Sequence, residues 1–272
     1  MTRCVGNFMK SIGKLLQKIT IDQWSIIDAE YIKPEKKSNF KCIGSLILAL
    51  VMIVLQRYYG QSRNFPNALE NIVINFPFPS VWSHLYLTFA CLILFFAIPY
   101  IFIRLVFHER LKDHGFTIKG IRRYMPIYLA MILVVIPLVV IVSFSKSFSD
   151  HYPLYQQAGS SWGNFLIWEL SYGLYFLILE FFFRGFMIFS FARYLGSFSI
   201  FVMVIPYVMI HFGKPFAETL GSIIAGIFLG TLALRTRSIF GGVFIHITIA
   251  WSMDVLALLQ KGQLQTLIKM HT

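Results

Sequence analysis

The chain alternates between long apolar runs and short polar connections. A helix needs roughly 20 residues to cross a bilayer, and none of the runs shows the alternation of an outer-membrane barrel strand. The pattern therefore predicts an all-α polytopic transmembrane bundle with about seven spans. The predicted spans are residues 42–56, 82–103, 125–145, 165–190, 197–212, 219–234 and 240–259. Gly241 and Gly242, at the start of the last run, predict a tight turn or a close helix contact.

The two ends of the chain follow different patterns. Apolar positions recur at helical intervals over residues 5–19 with lysines between them, which favours an amphipathic helix on an anionic membrane surface or against the protein itself. Residues 20–39 are more polar, so we predict a linker there. We therefore expect a cytoplasmic amphipathic and basic segment over residues 1–39, a transmembrane domain over 40–262 and a short polar tail over 263–272.

Composition and charge agree with a membrane protein. The 272 residues are 57% hydrophobic and only 13% charged, far outside the balance of a soluble domain. Lysine and arginine number eight before the first predicted span, and two, six and one in the next three connections. Because basic residues concentrate in cytoplasmic connections, we predict a multi-pass protein of the inner (plasma) membrane with a cytoplasmic N-terminus.

Four polar residues inside the apolar runs are candidates for chemistry. Glu180 and Arg184 stand four residues apart, so they share one face of a helix and can pair. His211 and His246 fall in later runs. Ionisable residues within a membrane are costly and mark functional sites. We therefore predict that these side chains converge in one polar cluster.

Peptide hydrolysis suits these residue types. The reaction needs a base that takes a proton from water, a charge that positions the base, and donors that stabilise the oxyanion. Glu180 is the candidate base, aided by His211, and Arg184 is its partner. His246 is the candidate oxyanion donor or a second contact for water. The structural alternative is a buried ion pair that only holds helices together.

A metal site is a second way to use the same side chains. Glu180, His211 and His246 supply one carboxylate and two imidazoles, which are enough to hold a divalent metal such as zinc with one open position. The sequence has no H-E-x-x-H motif, and ligands on separate helices leave no local spacing to test. A bound metal therefore remains an open alternative.

Three motifs, taken in order, resemble those of the CPBP family of intramembrane proteases, which includes the CAAX prenyl endopeptidases. They are L-E-F-F-F-R-G at 179–185, Y-x-x-x-H at 207–211, and His246. The family patterns are E-E-x-x-x-R, F-x-x-x-H and H-x-x-x-N. The resemblance covers roughly residues 179–254 and implies a membrane endopeptidase.

The match is incomplete at two positions. Glu180 corresponds to the second glutamate of the family pair, whereas Leu179 replaces the first, which is usually assigned as the base. Ala250 stands where the family has Asn, and Asp254 is the residue predicted to replace that Asn in part. The predicted substrate-pocket residues are Phe183, Tyr207 and Asp254.

The leading interpretation is an intramembrane endopeptidase-like protein that hydrolyses a membrane-associated peptide with glutamate-activated water. Its expected partners are membrane lipid and a membrane-associated peptide or protein substrate, and no nucleic acid is expected. One alternative is a catalytically impaired relative that binds a membrane peptide as a scaffold, since Leu179 and Ala250 replace functional residues. The other is a small proton-coupled transporter, in which membrane Glu, Arg and His are equally at home.

Overall fold

The computed structural model describes residues 14, 17, 18, 20–32 and 40–269. Within these residues the regular secondary structure is helical and contains no strand. The helices are α1 (Ile21–Tyr31), α2 (Phe40–Tyr59), α3 (Asn67–Val73), α4 (Pro79–Phe107), α5 (Ile121–Ser143), α6 (Lys146–His151), α7 (Trp162–Leu195), α8 (Phe198–Met209), α9 (Phe216–Thr236), α10 (Phe240–Gln260) and α11 (Gln263–Lys269). The amphipathic helix predicted over residues 5–19 falls almost entirely outside the described residues.

Six of these helices, α2, α4, α5, α7, α9 and α10, are long and apolar enough to cross a membrane. Helix α8 is also apolar but has 12 residues, a length of about 18 Å against a bilayer core of about 30 Å. The prediction of an all-α membrane bundle with about seven spans is confirmed. The segment predicted as the fifth span forms the shorter helix α8, because the chain turns directly after Met209.

Helix α7 lies at the centre of the bundle. In the apolar 18-residue stretch of α7, 78% of the residues are buried inside the protein. The corresponding share for the peripheral helix α5 is 6%. Helices α4, α8, α9 and α10 pack around it, and aromatic rings fill the contacts. Phe95 of α4, for example, stacks on Phe182 with ring centroids 4.2 Å apart. Because α7 is enclosed, its polar side chains face protein rather than lipid.

The hydrogen-bond pattern of α7 changes from α to π over Phe181–Ile188. This change comes directly after Glu180, and every residue of the π-helical stretch is buried. Such stretches are rare and concentrate at functional sites. His114, in the connection between α4 and α5, lies against the stretch and donates from Nδ1 to the Gly185 carbonyl at 3.3 Å. The connection therefore supports the widened part of the central helix.

The same connection is tied to the turn between α9 and α10. The Ile239 N–H donates to the Gly115 carbonyl at 2.9 Å. Gly120 has φ +86°, and a Cβ there would lie 2.5 Å from the Thr236 carbonyl oxygen. Only glycine combines that backbone conformation with so close an approach. The α4–α5 connection is therefore fixed relative to the membrane helices.

Glu109 holds the beginning of the connection. Its carboxylate accepts hydrogen bonds from both terminal nitrogens of Arg193 on α7 and lies 3.0 Å from Nε2 of His114. Burial alone would raise the pKa of Glu109, but hydrogen bonds from His114 and Arg193 outweigh it and lower the pKa to about 2. The carboxylate therefore stays ionised well into the acidic range.

The segments predicted as a linker and as a short polar tail each contain a helix. In the predicted linker, α1 docks on α9, where the Trp24 indole donates to Thr231 Oγ1 at 3.0 Å. In the predicted polar tail, α11 buries Leu267, whose carbonyl accepts from the Trp162 indole at 3.0 Å. Both helices are too short to be stable alone, so packing on the bundle stabilises them.

Replacing Gly120 with Ala tests the close contact at this connection. Both Gly120→Ala and Gly213→Ala place a side chain at positive φ, but a Cβ at Gly213 meets nothing within 4 Å. Positive φ alone costs on the order of 1 kcal/mol. We expect Gly120→Ala to lower the apparent unfolding temperature in detergent more than Gly213→Ala does. Equal decreases would contradict the close approach to Thr236.

The Glu109→Gln variant, compared with the wild type at different pH values, tests whether the ionised Glu109 carboxylate stabilises the fold. Because the folded pKa is depressed, the ionised carboxylate stabilises the fold fully above its ordinary value of 4.5, and this contribution disappears as pH falls towards about 2. The wild type should therefore exceed Glu109→Gln in unfolding temperature by a constant margin from pH 7 to about 5, and the margin should shrink below that range. Glu70→Gln, at an exposed carboxylate on α3, is the control and should show no such margin.

Candidate active site

The predicted pair of Glu180 and Arg184 is formed inside the protein. Arg184 Nη1 lies 3.0 Å from Glu180 Oε1, and the two side chains are 0% and 1% exposed, respectively. Their spacing of four places them on the same face where α7 enters its π-helical stretch. Burial removes water from both charges, so each depends on protein partners for its stabilisation.

His246 approaches the same carboxylate from α10. Its Nδ1 lies 2.7 Å from Glu180 Oε1, so one carboxylate oxygen is contacted by both the guanidinium and the imidazole. The imidazole ring stacks on Phe176 of α7, with centroids 5.3 Å apart and planes 3° from parallel. The stacking fixes the plane of the ring, and one nitrogen lies beside the acid.

Tyr207 of α8 closes the cluster on the other side of the imidazole. Its hydroxyl lies 3.0 Å from His246 Nε2, and the Arg184 guanidinium lies over its ring, 4.0 Å from the centroid. A neutral imidazole carries a single N–H. With that proton on Nδ1, facing the carboxylate, Nε2 accepts from the Tyr207 hydroxyl. Glu180, His246 and Tyr207 then form a continuous polar chain across three helices.

Gly242, at the start of α10, makes room for the acid. A Cβ at this position would lie 2.2 Å from Glu180 Oε2, so any larger residue would displace the carboxylate. The sequence predicted a close contact at this glycine pair but gave no sign of its partner. A glycine in a sequence indicates a close contact but does not identify the residue that makes it.

His211 lies beside this chain and does not join it. Its Nδ1 donates to the Tyr207 carbonyl at 2.7 Å, and its ring lies 4.7 Å from the Tyr207 ring. In the part of the chain that the structure describes, no hydrogen bond or ion pair joins His211 to Glu180 or His246. Tyr207 therefore separates the two imidazoles, and His211 Nε2 remains available as an acceptor.

The structure brings Phe183 and Tyr207 together but places Asp254 elsewhere. The Phe183 and Tyr207 rings are 5.4 Å apart in an edge contact. Asp254 is fully buried and accepts from the Trp168 indole at 2.6 Å. Eight residues rotate a helix by about 80° beyond full turns, so Asp254 faces a different direction from His246. Its replacement of the missing Asn stays a prediction, and the contact that the structure shows for it is with Trp168.

The predicted zinc ligands do not form a ligand set. Among the described residues, no group of three or more His, Cys, Asp or Glu side chains is arranged to hold a metal ion. The two ring nitrogens of His246 lie close to Glu180 and to the Tyr207 hydroxyl, and His211 lies beyond Tyr207. A metal bound by Glu180, His211 and His246 stays a prediction without geometric support, and the chemistry below uses the protein's own side chains.

Comparison with known families bears on the same segment. Residues 160–252 match the family model described as type II CAAX prenyl endopeptidase Rce1-like. The resemblance to the CPBP family of intramembrane proteases is confirmed. The matched segment contains all four members of the cluster, Glu180, Arg184, Tyr207 and His246. No curated protein and no solved structure matched the chain.

Gly242→Ala should disrupt the cluster of this CPBP-like protein. Overpacking of a dense interior typically costs about 1–3 kcal/mol, and here the new methyl group would meet the acid itself. Gly173→Ala is the matched control, because its Cβ would make an ordinary contact 3.5 Å from the Trp251 ring. We expect a clear decrease in unfolding temperature for Gly242→Ala only. Similar values for the two variants would argue against the close contact with Glu180.

Proposed function

We propose that this multi-pass membrane protein is an intramembrane endopeptidase that hydrolyses a membrane-associated peptide. The main support is the Glu180 carboxylate, which lies between Arg184 and His246 inside the segment that matches the protease family. We further propose that it lies in the inner (plasma) membrane with its N-terminus in the cytoplasm. The distribution of Lys and Arg among the connections supports this orientation. Prenylation of the substrate is not part of the proposal.

Glu180 is the proposed base. It takes a proton from a water molecule, and the resulting hydroxide oxygen attacks the carbonyl carbon of the scissile peptide. The proton passes to the leaving amine when the C–N bond breaks. Arg184 keeps the carboxylate oriented between proton transfers, because it is the fixed positive charge beside it. Leu179 carries no ionisable group, so the base role falls to Glu180 alone.

Water and substrate approach from the His246 side. Glu180 is 1% exposed, whereas the His246 side chain is 17% exposed, and His211 is also partly exposed. In this proposal water enters along these imidazoles and not through the aromatic packing of α7. His211 Nε2 is a suitable acceptor to orient that water, which agrees with its position beside the polar chain.

Tyr207 is the proposed donor to the oxyanion. Ala250 has no amide at the position of the family's Asn, whereas Tyr207 carries a hydroxyl where the family has Phe. That hydroxyl is already directed into the cluster, at His246 Nε2. When the substrate carbonyl becomes an oxyanion, this hydroxyl is the donor within reach. In this proposal the phenolic hydroxyl on α8 takes the role that the family's amide has on α10.

A specific observation also favours the scaffold alternative. Both carboxylate oxygens of Glu180 are enclosed: Oε1 faces Arg184 and His246, and Oε2 faces Gly242. An acid so enclosed also serves as a structural ion pair. A protein that keeps the cluster but does not admit water would bind a membrane peptide without cleaving it.

Cleavage of membrane-embedded peptides by the purified protein in lipid nanodiscs distinguishes these functions. We expect Glu180→Gln to reduce the cleavage rate by about 10²–10⁴-fold, the usual contribution of a general base. Glu169→Gln is the matched control, because Glu169 is another buried carboxylate on α7 outside the cluster, and its rate should stay near that of the wild type. Tyr207→Phe should reduce the rate and leave substrate capture intact.

The contrary results are equally specific. A Glu180→Gln variant that cleaves at the wild-type rate would remove the proposed base. Wild-type protein that captures peptides but yields no product would favour the scaffold function.

A further inference from the structure

A second polar region lies at the end of the bundle where α5 begins and α9 ends. Two adjoining cavities of about 420 and 330 Å³ open there, within the size range of small-molecule sites. Both are lined by Lys112, Asp113 and Arg237. Arg193 lines the first and Lys119 the second. We call the four cations Lys112, Lys119, Arg193 and Arg237 the basic cradle.

The acids near the cradle already have partners. Glu109 accepts from Arg193, and Asp113 accepts from the Arg110 N–H at 2.9 Å. By contrast, Lys112, Lys119 and Arg237 form no ion pair with any described residue. Asp113 keeps its negative charge, because a backbone N–H does not neutralise a carboxylate, but the three unpaired cations outnumber it and the lining of the two cavities keeps a net positive charge.

The cradle is held in place by its backbone. Arg237 adopts a left-handed conformation at φ 52°, and the next residue, Ser238, donates from its hydroxyl to the Thr117 carbonyl. The Arg237 guanidinium lies over the Tyr31 ring of α1, 5.5 Å from its centroid. These contacts orient the Arg237 guanidinium before a ligand arrives, which lowers the entropic cost of binding.

The cradle lies beside the start of a helix long enough to cross a membrane, which is where lipid headgroups are expected. Lys119 and Gly120 directly precede α5, a membrane helix that begins at Ile121. Ile118, next to Lys119, is 75% exposed, which suits contact with acyl chains beside a charged group. By the positive-inside pattern this end faces the cytoplasm, where anionic lipids accumulate.

We propose that the basic cradle binds a phosphate group, and that an anionic phospholipid supplies it. Arg237 provides a planar guanidinium and Lys112 and Lys119 provide compact ammonium groups, the two cation types that recognise phosphate. The ligand would join α1, the α4–α5 connection and the α9–α10 turn. Through His114 and Gly185 that connection contacts the π-helical stretch of α7, so the bound lipid would brace the central helix. The proposal does not depend on peptidase activity.

Lipid binding to the purified full-length protein, measured by native mass spectrometry in neutral detergent, tests the proposal. Phosphatidylglycerol and zwitterionic phosphatidylcholine are compared on the wild type and on Lys112→Gln/Arg237→Gln. The control is Arg63→Gln/Lys146→Gln, which removes the same charge just beyond the C-terminal ends of α2 and α5, away from the cradle. We expect phosphatidylglycerol to bind the wild type and the control alike, and the cradle variant roughly tenfold or more weakly.

Competition with soluble anions identifies the source of the phosphate. Inorganic phosphate and glycerol 3-phosphate should leave phosphatidylglycerol bound at concentrations far above that of the lipid, because the acyl chains add affinity. Full displacement at equal concentration would overturn the lipid as the source and leave a soluble phosphate compound in its place. Equal lipid binding by the cradle variant and the wild type would overturn the site itself, as would an equal loss in the control.

Discussion

The buried contact between Glu180 and Arg184 is the constraint on which the rest of the site depends. Two charges removed from water cost roughly several kcal/mol each unless protein groups replace the solvent. Here His246 supplies a second contact to the acid, and the Tyr207 ring lies against the guanidinium. The aromatic packing around α7 keeps lipid away from both. An unpaired charge at this depth would be intolerable, so the partners are required whatever reaction the cluster performs.

Two backbone features of the fold adjoin the Glu180–Arg184 pair. The π-helical stretch begins directly after Glu180, and Gly242 leaves the space that the carboxylate occupies. The α4–α5 connection supports the stretch from the end of the bundle, where Glu109 and Arg193 hold it. The geometry of the site thus extends from the middle of α7 to the headgroup region, through contacts that are each short and specific.

Much of this arrangement could be predicted from the sequence, and the remainder could not for identifiable reasons. Span length and the pairing of Glu180 with Arg184 follow from distances along a single helix, so the sequence predicts them well. The position of Asp254 depends on helix rotation, and that of His211 depends on where α8 ends. The helix α1 forms where its polar sequence indicated a linker, because its stability comes from contacts with α9. Such contacts between distant segments leave no periodic signal.

The stacking of His246 on Phe176 has a consequence for proton movement. An imidazole could in principle exchange the directions of its two nitrogens by turning about its side-chain bonds. A ring lying flat on a phenyl face, 3° from parallel, cannot turn without losing that contact. Each nitrogen therefore keeps one neighbour, an acid on one edge and a phenol on the other. Any proton transfer through this imidazole would therefore connect Glu180 at Nδ1 with Tyr207 at Nε2.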